Sequence, residues 1–561
     1  MAAAEALRPL QLHERIQTLD VIRGFALLGI FLMNVEWFNR PIADLGAGVP
    51  AGLAGPDLVV AWLIHTFVAS KFWPMFSLLF GMGFAVMLQR ARASGSAFVA
   101  TYARRTAALA AFGLLHGVLL WPGDILFAYA VTAAALLLTL FGTPKHWLAL
   151  LLPFAVLAAI PATSSAGVAI VVLLFAALVA LYLRDERSFR GWPRIALAVL
   201  ALALLMLVGG AVTLAKVGAD KGAPLVVGAL LLVVVAWLAG RHRGPPAQRA
   251  LRAGVAIFLL PTLMMLAGGF YMMFGPPAQE GARAGAERPV AATPATAGKQ
   301  PRAAAPSPVE DAGAKARAAQ RAEVAKRLAE RKAQAAEETR IMSGGTYAEA
   351  VRFRAGAYLR DLGQSVGLSV IALGLFLLGG WFIQSGMMVQ PQRHLPAFRK
   401  LAVTGMLAGG ALSIAASLVS LRPLERAADA PPDALWQLAN ALHMMGGLPL
   451  MLGYVACLVL ALQAATGQRL LGWLAPAGRM ALTNYLMQSL IASLFFYGYG
   501  LGHWGMPRAQ QAVFVVVVFG LQVLLSHWWL ARFRYGPIEW LWRWMTYGTR
   551  PALRLAASVA A

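Results

Sequence analysis

At 561 residues, with 59% hydrophobic and only 13% charged side chains, the chain cannot be an ordinary soluble protein, in which about half the residues are apolar and about a quarter charged. Its net charge of +24 does not point to a nucleic-acid partner, because most Lys and Arg fall in short loops between apolar runs, the positive-inside pattern of a multi-pass membrane protein. The single cysteine, Cys457, excludes an intrachain disulfide and a thiolate metal cluster. It lies in an apolar run and reads as a small core residue.

Met1 to Glu14 is mixed in character and the first apolar run has no small-residue cleavage site, so no cleavable signal peptide is expected. Runs of roughly 20 apolar residues, enough to span a bilayer, follow at 19–38, 71–91, 102–121, 124–142, 146–162, 165–184, 195–216, 222–240, 252–274, 365–386, 400–421, 434–463, 479–498 and 510–530. The expected fold is all-α, a polytopic transmembrane helix bundle of about 14 spans. Residues 57–70 read as a separate short helix or as the broken outer half of the second span. Arg90, Arg92, Arg104 and Arg105, then Arg184, Arg187, Arg190 and Arg194, then Arg241, Arg243, Arg249 and Arg252 fall on one side of that bundle. The positive-inside rule makes that side, and both termini, cytoplasmic.

The same count places the insertion Pro276 to Gly345 in the periplasm. Its first half, rich in Ala, Pro and Gly, reads as disordered, and its second half, with strong helix formers and interleaved charge, as a solvated helix. Tyr347 to Asp361 mixes Arg and aromatic residues at helical spacing and reads as a helix along the outer membrane surface. The chain thus divides into an N-terminal membrane region at 1–145, additional spans at 146–275, the charged insertion at 276–345 and a C-terminal membrane region at 346–550.

Ionisable and polar groups inside spans are functional candidates by default. Asp20 and Arg23, three apart at the start of the first span, share a helix face; anchoring at the membrane interface is the plainer alternative. Asn34, Glu36, His65, His116, Asp124 and His443 all come out at the periplasmic ends of their segments. His116 and Asp124, joined by the turn in GLLHGVLLWPGDIL, are the leading catalytic pair: a neutral imidazole takes a proton while the carboxylate fixes its tautomer. Asp124 could equally be a helix cap. On the cytoplasmic side lie Lys71 and the segment GRMALTNYLMQS, where Arg479 can reach a phosphate while Asn484, Tyr485 and Gln488 set polar groups about a turn apart. Such a mouth suits a nucleotide donor or a phospholipid headgroup. No metal site is expected, and the glycines of FGMGF read as close helix packing.

The stretches LDVIRGFALLGIFLMN, KFWPMFSLLFGMGFA, LLHGVLLWPGDILFAYAV, GRMALTNYLMQSLI and FRYGPIEWLWRWMTYG resemble successive signatures of the YeiB family of bacterial inner-membrane proteins, the last two within its C-terminal domain of unknown function 418. The resemblance is carried mainly by 15–145 and 346–550. It implies residence in the inner membrane. More distantly, the first helix is similar to that of transmembrane acyltransferases such as heparan-alpha-glucosaminide N-acetyltransferase, which use an Asn at the end of the first helix and a His shortly after it. Asn34 matches the first; no histidine lies between Asn34 and His65.

The acyltransferase likeness implies an acyl-CoA donor and a catalytic part for Asn34. The placement of polar residues on the spans adds His116, Asp124 and His65 as catalytic candidates and Asp20, Arg23, Arg479, Asn484, Tyr485, Gln488 and His443 as substrate-binding candidates, with no metal expected. Expected partners are the lipid bilayer and a small-molecule or glycan acceptor, with homo-oligomerisation left open. The competing expectation is a transporter or flippase using the same polar cavity, for which a discontinuous helix at 57–90 speaks. A scaffold recruiting a periplasmic partner through the charged insertion is the third.

Overall fold

The computed structural model describes residues 15–42, 49, 52–159, 166–216, 219–241, 244–274, 308–421 and 434–555. In chain order the first helices are α1 (Gln17–Asn34), α2 (Gly55–Phe67), α3 (Phe72–Ser94), α4 (Phe98–Leu119), α5 (Leu126–Phe141), α6 (Pro144–Ala158) and α7 (Ala166–Arg184). A two-residue antiparallel hairpin, Ser188–Phe189 against Trp192–Pro193, turns through Arg190 and Gly191, both at positive φ. There follow α8 (Arg194–Lys216), α9 (Ala219–Arg241), α10 (Pro246–Phe274), α11 (Pro308–Gly344), α12 (Tyr347–Gln384) and α13 (Leu395–Leu421). The chain closes with α14 (Ala434–Ala461), α15 (Ala465–Gly472), α16 (Ala475–Arg479), α17 (Ala481–Phe496), α18 (Arg508–Leu530) and α19 (Pro537–Tyr547).

Among the described residues, 10 helical stretches are long and apolar enough to cross a membrane, with α5, α6 and α17 as shorter apolar helices. Their outward faces carry unshielded aliphatic residues such as Leu204, Leu205, Val516 and Leu521, each more than 60% exposed. Apolar faces of that extent are stable against lipid rather than water. The protein is therefore an all-helical, multi-pass membrane protein.

The core is built by α1, α3, α4, α5, α12, α14 and α17, whose buried aromatic and aliphatic residues form one continuous cluster. Two glycine contacts set its tightest crossings. A Cβ on Gly81 would run into the Phe376 backbone and one on Gly478 into the Asp20 carbonyl, so α3 meets α12, and α1 meets α16, backbone to backbone. The first of these is the packing role expected for FGMGF, met at Gly81 but not at Gly83, where a Cβ would have nothing within 4 Å.

Three expectations are corrected. Tyr347 to Asp361 is not a surface helix but the first half of the 38-residue α12, with Ala350, Arg354, Ala357 and Tyr358 buried. The insertion's helix exists as α11, yet its C-terminal end is packed rather than solvated: Ile341 and Met342 are buried, and Glu338 accepts a hydrogen bond from the Ile42 backbone at 3.0 Å. Cys457 is exposed on α14 instead of lying in the core, where an apolar thiol can face lipid. The readings of 1–14 and of 276–307 lie outside the described residues.

Candidate functional site

The last turn of α4 carries His116, and the short turn after it brings Asp124 back against the ring. His116 Nδ1 lies 2.8 Å from Asp124 Oδ1, and the other carboxylate oxygen accepts the Phe127 backbone N–H at 2.8 Å, tying the start of α5 to the same group. A carboxylate only accepts, so Nδ1 holds the ring proton and Nε2 presents a lone pair. Opposite Nε2, at 2.8 Å, is the hydroxyl of Ser489 on α17. The side chains of His116 and Asp124 are fully buried, and Ser489 is 2% exposed. Sequence reading passed over Ser489, although it sits one turn beyond Tyr485 on the same helix face.

The end of α4 is held by an unusual cap. Arg354 of α12, itself fully buried, donates to the carbonyls of Val118, Leu119 and Leu120 at 3.0–3.2 Å. A guanidinium there satisfies carbonyls that a helix C-terminus leaves unpaired and opposes the negative end of its dipole. The rings of Tyr347, Tyr497 and Tyr499 surround its charge. Trp121, which donates to the Trp37 carbonyl and stacks on Phe38, lies over the same end, its ring 6.4 Å from His116.

On the other side of this relay lies a cavity of about 240 Å³. Tyr485 and Ile125 belong to its wall, and the Tyr485 ring is 5.1 Å from the His116 ring, so the relay is one side chain away. This part of the wall is apolar, from Ile30, Phe76, Leu79, Phe80 and Leu126, with the Tyr129 hydroxyl held between Ser77 and the Trp73 carbonyl. The far end is lined by Arg15, Arg23, Arg90, Arg105, Arg479 and Arg543 against the carboxylates of Asp20 and Glu539.

Both carboxylates are engaged within the protein. Asp20 pairs with Arg23 at 2.6 Å and Arg15 at 3.7 Å. Glu539 accepts from the backbone N–H groups of Leu482 and Thr483 and from the Thr483 hydroxyl, at 2.6–2.9 Å, capping the first turn of α17. Burial pushes the Glu539 carboxyl above the ordinary carboxylate range, with those hydrogen bonds opposing the shift. Arg479 Nε is buried without a hydrogen-bond partner among the described residues, while Arg23 keeps 28% of its side chain exposed to solvent. The cavity is thus cationic at one end and apolar at the other, a shape for an anion with a chain attached.

The remaining candidates fall elsewhere. His65 and His443 stack at 4.7 Å, and Lys71, fully buried at the break between α2 and α3, sits 3.4 Å from His443 Nε2, so Lys71 shares the depth of His443 instead of lying at the opposite face with Arg479 as expected. Asn484 and Gln488 face α18, bonded to Ser526 and Gln522 respectively, and do not line the cavity. Asn34 ends α1 half-buried, with no hydrogen bond to His116 or Asp124. Among the described residues no group of three or more His, Cys, Asp or Glu could hold a metal.

Residues 382–549 match the family described as "Protein of unknown function (DUF418)". The chain is 25% identical to YxaH of Bacillus subtilis over 549 residues, 97% of this chain and 96% of that one. It is 24% identical to YeiB of Escherichia coli over 536 residues, again 95% and 96% of the two chains. A 39.9 kDa protein from the amylase 3' region of Bacillus acidopullulyticus is 41% identical over 122 residues, 22% of this chain and 33% of that one. No solved structure matches the chain. The chain thus carries a DUF418 match at 382–549 and is similar to YeiB and YxaH along nearly its whole length.

Proposed function

We propose that the protein is a membrane-embedded acyltransferase that takes an acyl group from an acyl-CoA at its arginine-lined, cytoplasmic end and passes it to a hydroxyl or amine of a small-molecule or glycan acceptor on the periplasmic side. The observation that carries this reading is the His116–Asp124 pair one side chain beyond a cavity that is cationic at its mouth and apolar at its depth. Arg23 and Arg479 would hold the phosphates, the nucleotide remaining at the mouth because about 240 Å³ accommodates an acyl chain and part of a pantetheine arm rather than a whole coenzyme. The acyl chain would lie among Phe76, Leu79 and Phe80. His116 Nε2, its tautomer fixed by Asp124, would draw the proton from the attacking group, a contribution of roughly 10²–10⁴ in rate. Water is kept from the relay by its burial, which lengthens the life of an activated acyl group.

The test is incubation of the purified full chain with radiolabelled acetyl-CoA and a bacterial envelope extract, following label into an acceptor. Label transfer by the wild type, and at least about 100-fold less with His116→Ala, is the expected result. Undiminished transfer by His116→Ala would remove the assigned base.

One observation favours the second reading, transport or flipping of a small solute or lipid-linked molecule. The helix break between Phe67 and Phe72, with Ser70 at φ 63°, places fully buried Lys71 beside His443, and broken helices with buried charge are a transporter feature. Solute uptake into proteoliposomes without covalent change of any acceptor would decide for it.

A further inference from the structure

We propose that Ser489 is the nucleophile of a two-step transfer, so that the acyl group passes through an ester on Ser489 Oγ. This rests on the acyl-transfer reading and deepens it. The geometry is that of an activated serine: nucleophile to base and base to orienting carboxylate are each 2.8 Å, the signature shared by serine nucleophiles on unrelated folds.

A second observation separates Ser489 from an ordinary helix serine. Hydroxyls in apolar helices commonly bond back to the carbonyl four residues earlier, and here Thr132, Ser526 and Thr106 do so at 2.7–2.9 Å. Ser489 is 3.5 Å from the Tyr485 carbonyl and 2.8 Å from His116 Nε2. Its hydroxyl is drawn off its own helix toward the imidazole. Because Asp124 accepts the Nδ1–H hydrogen bond, Nε2 is the acceptor that the hydroxyl faces.

In the first step Ser489 Oγ attacks the thioester carbonyl carbon and its proton moves to His116 Nε2. The C–S bond breaks, and the coenzyme A thiolate leaves with that proton. In the second step an acceptor hydroxyl or amine attacks the ester carbon, gives its proton to Nε2, and Ser489 leaves and recovers it. Asp124 is a positioning residue throughout.

The test uses the full chain in detergent with an alkyl fluorophosphonate, which forms an O–P bond to an activated serine and releases fluoride. Peptide mapping is expected to find the adduct at Ser489, absent in Ser489→Ala and formed at least about 100-fold more slowly in His116→Ala. No adduct at Ser489, or a rate unchanged in His116→Ala, overturns the proposal. In parallel, Ser489→Cys with radiolabelled acetyl-CoA is expected to hold label on the protein as a thioester released by neutral hydroxylamine, a readout that does not depend on Ser489→Ala folding. Acceptor labelling that persists in Ser489→Ala overturns the nucleophile while leaving the transferase reading intact. An adduct at Ser489 with no transfer from any acyl-CoA supports the nucleophile and overturns the donor.

Discussion

In the proposed transfer, His116 acts as a base only while Asp124 decides which ring nitrogen carries the proton. Asp124→Asn keeps the shape of the turn but offers an amide N–H toward Nδ1, turning the ring to the tautomer whose Nε2 is protonated. Transfer is expected to fall by roughly 10²–10⁴ with unchanged thermal stability, measured as kcat beside a melting curve; a loss of folding instead would assign Asp124 a structural role. Gly113 tests the same contact from the other side. A Cβ there would lie 2.7 Å from Asp124 Oδ2 and against the Phe127 backbone, so Gly113→Ala is expected to cost about 1–3 kcal/mol and to lower kcat with it. The pair was legible in the sequence because eight residues and a tight turn separate its members, so local geometry alone brings them to one membrane face. Ser489 was not, because it reaches Nε2 from 373 residues away, through packing that no local pattern encodes.

At the scale of elements, the placement of α4 depends on α12. The role of Arg354 is not legible in the 347–361 stretch: Arg interleaved with aromatic residues has the same pattern whether the charges meet water or buried carbonyls, and only the tertiary contact distinguishes them. Arg354→Met keeps much of the volume and leaves the Val118 and Leu120 carbonyls without their guanidinium donor, while Leu119 retains the Tyr347 hydroxyl, at a cost of about 2 kcal/mol or more. Thermal unfolding should show that loss, and the label-transfer rate should fall because the turn carrying His116 loosens. The start of α12 is fixed by a capping box in which Thr346 and Glu349 bond reciprocally. The Thr346 N–H and hydroxyl hold the Glu349 carboxyl below its ordinary value of 4.5. A depressed folded pKa stabilises above the unfolded value and ceases to do so as pH falls through the folded one. Amide exchange at 347–351, corrected for intrinsic rate, should therefore rise on acidification below about pH 4.5 in the wild type, and this added pH dependence should vanish in Glu349→Gln.

Across the whole molecule the helices leave a cationic mouth and an apolar depth between α1, α3, α5, α17 and α19. The bundle itself was legible because long apolar runs admit little but helices in lipid. The cavity was only half legible: Arg23 and Arg479 stood out beside the first and C-terminal motifs, whereas Arg15, Arg105 and Arg543 join them only once α1, α4 and α19 pack together. The proposed transfer divides the labour between that mouth, which would bind the donor, and the relay, which would move the proton. The most direct test measures label transfer over a range of acetyl-CoA concentrations for Arg479→Ala and His116→Ala side by side. Arg479→Ala is expected to raise KM for the donor about 10-fold with kcat near wild type, and His116→Ala to lower kcat with KM near wild type. Wild-type behaviour in both variants, or loss of the same parameter in both, would contradict it.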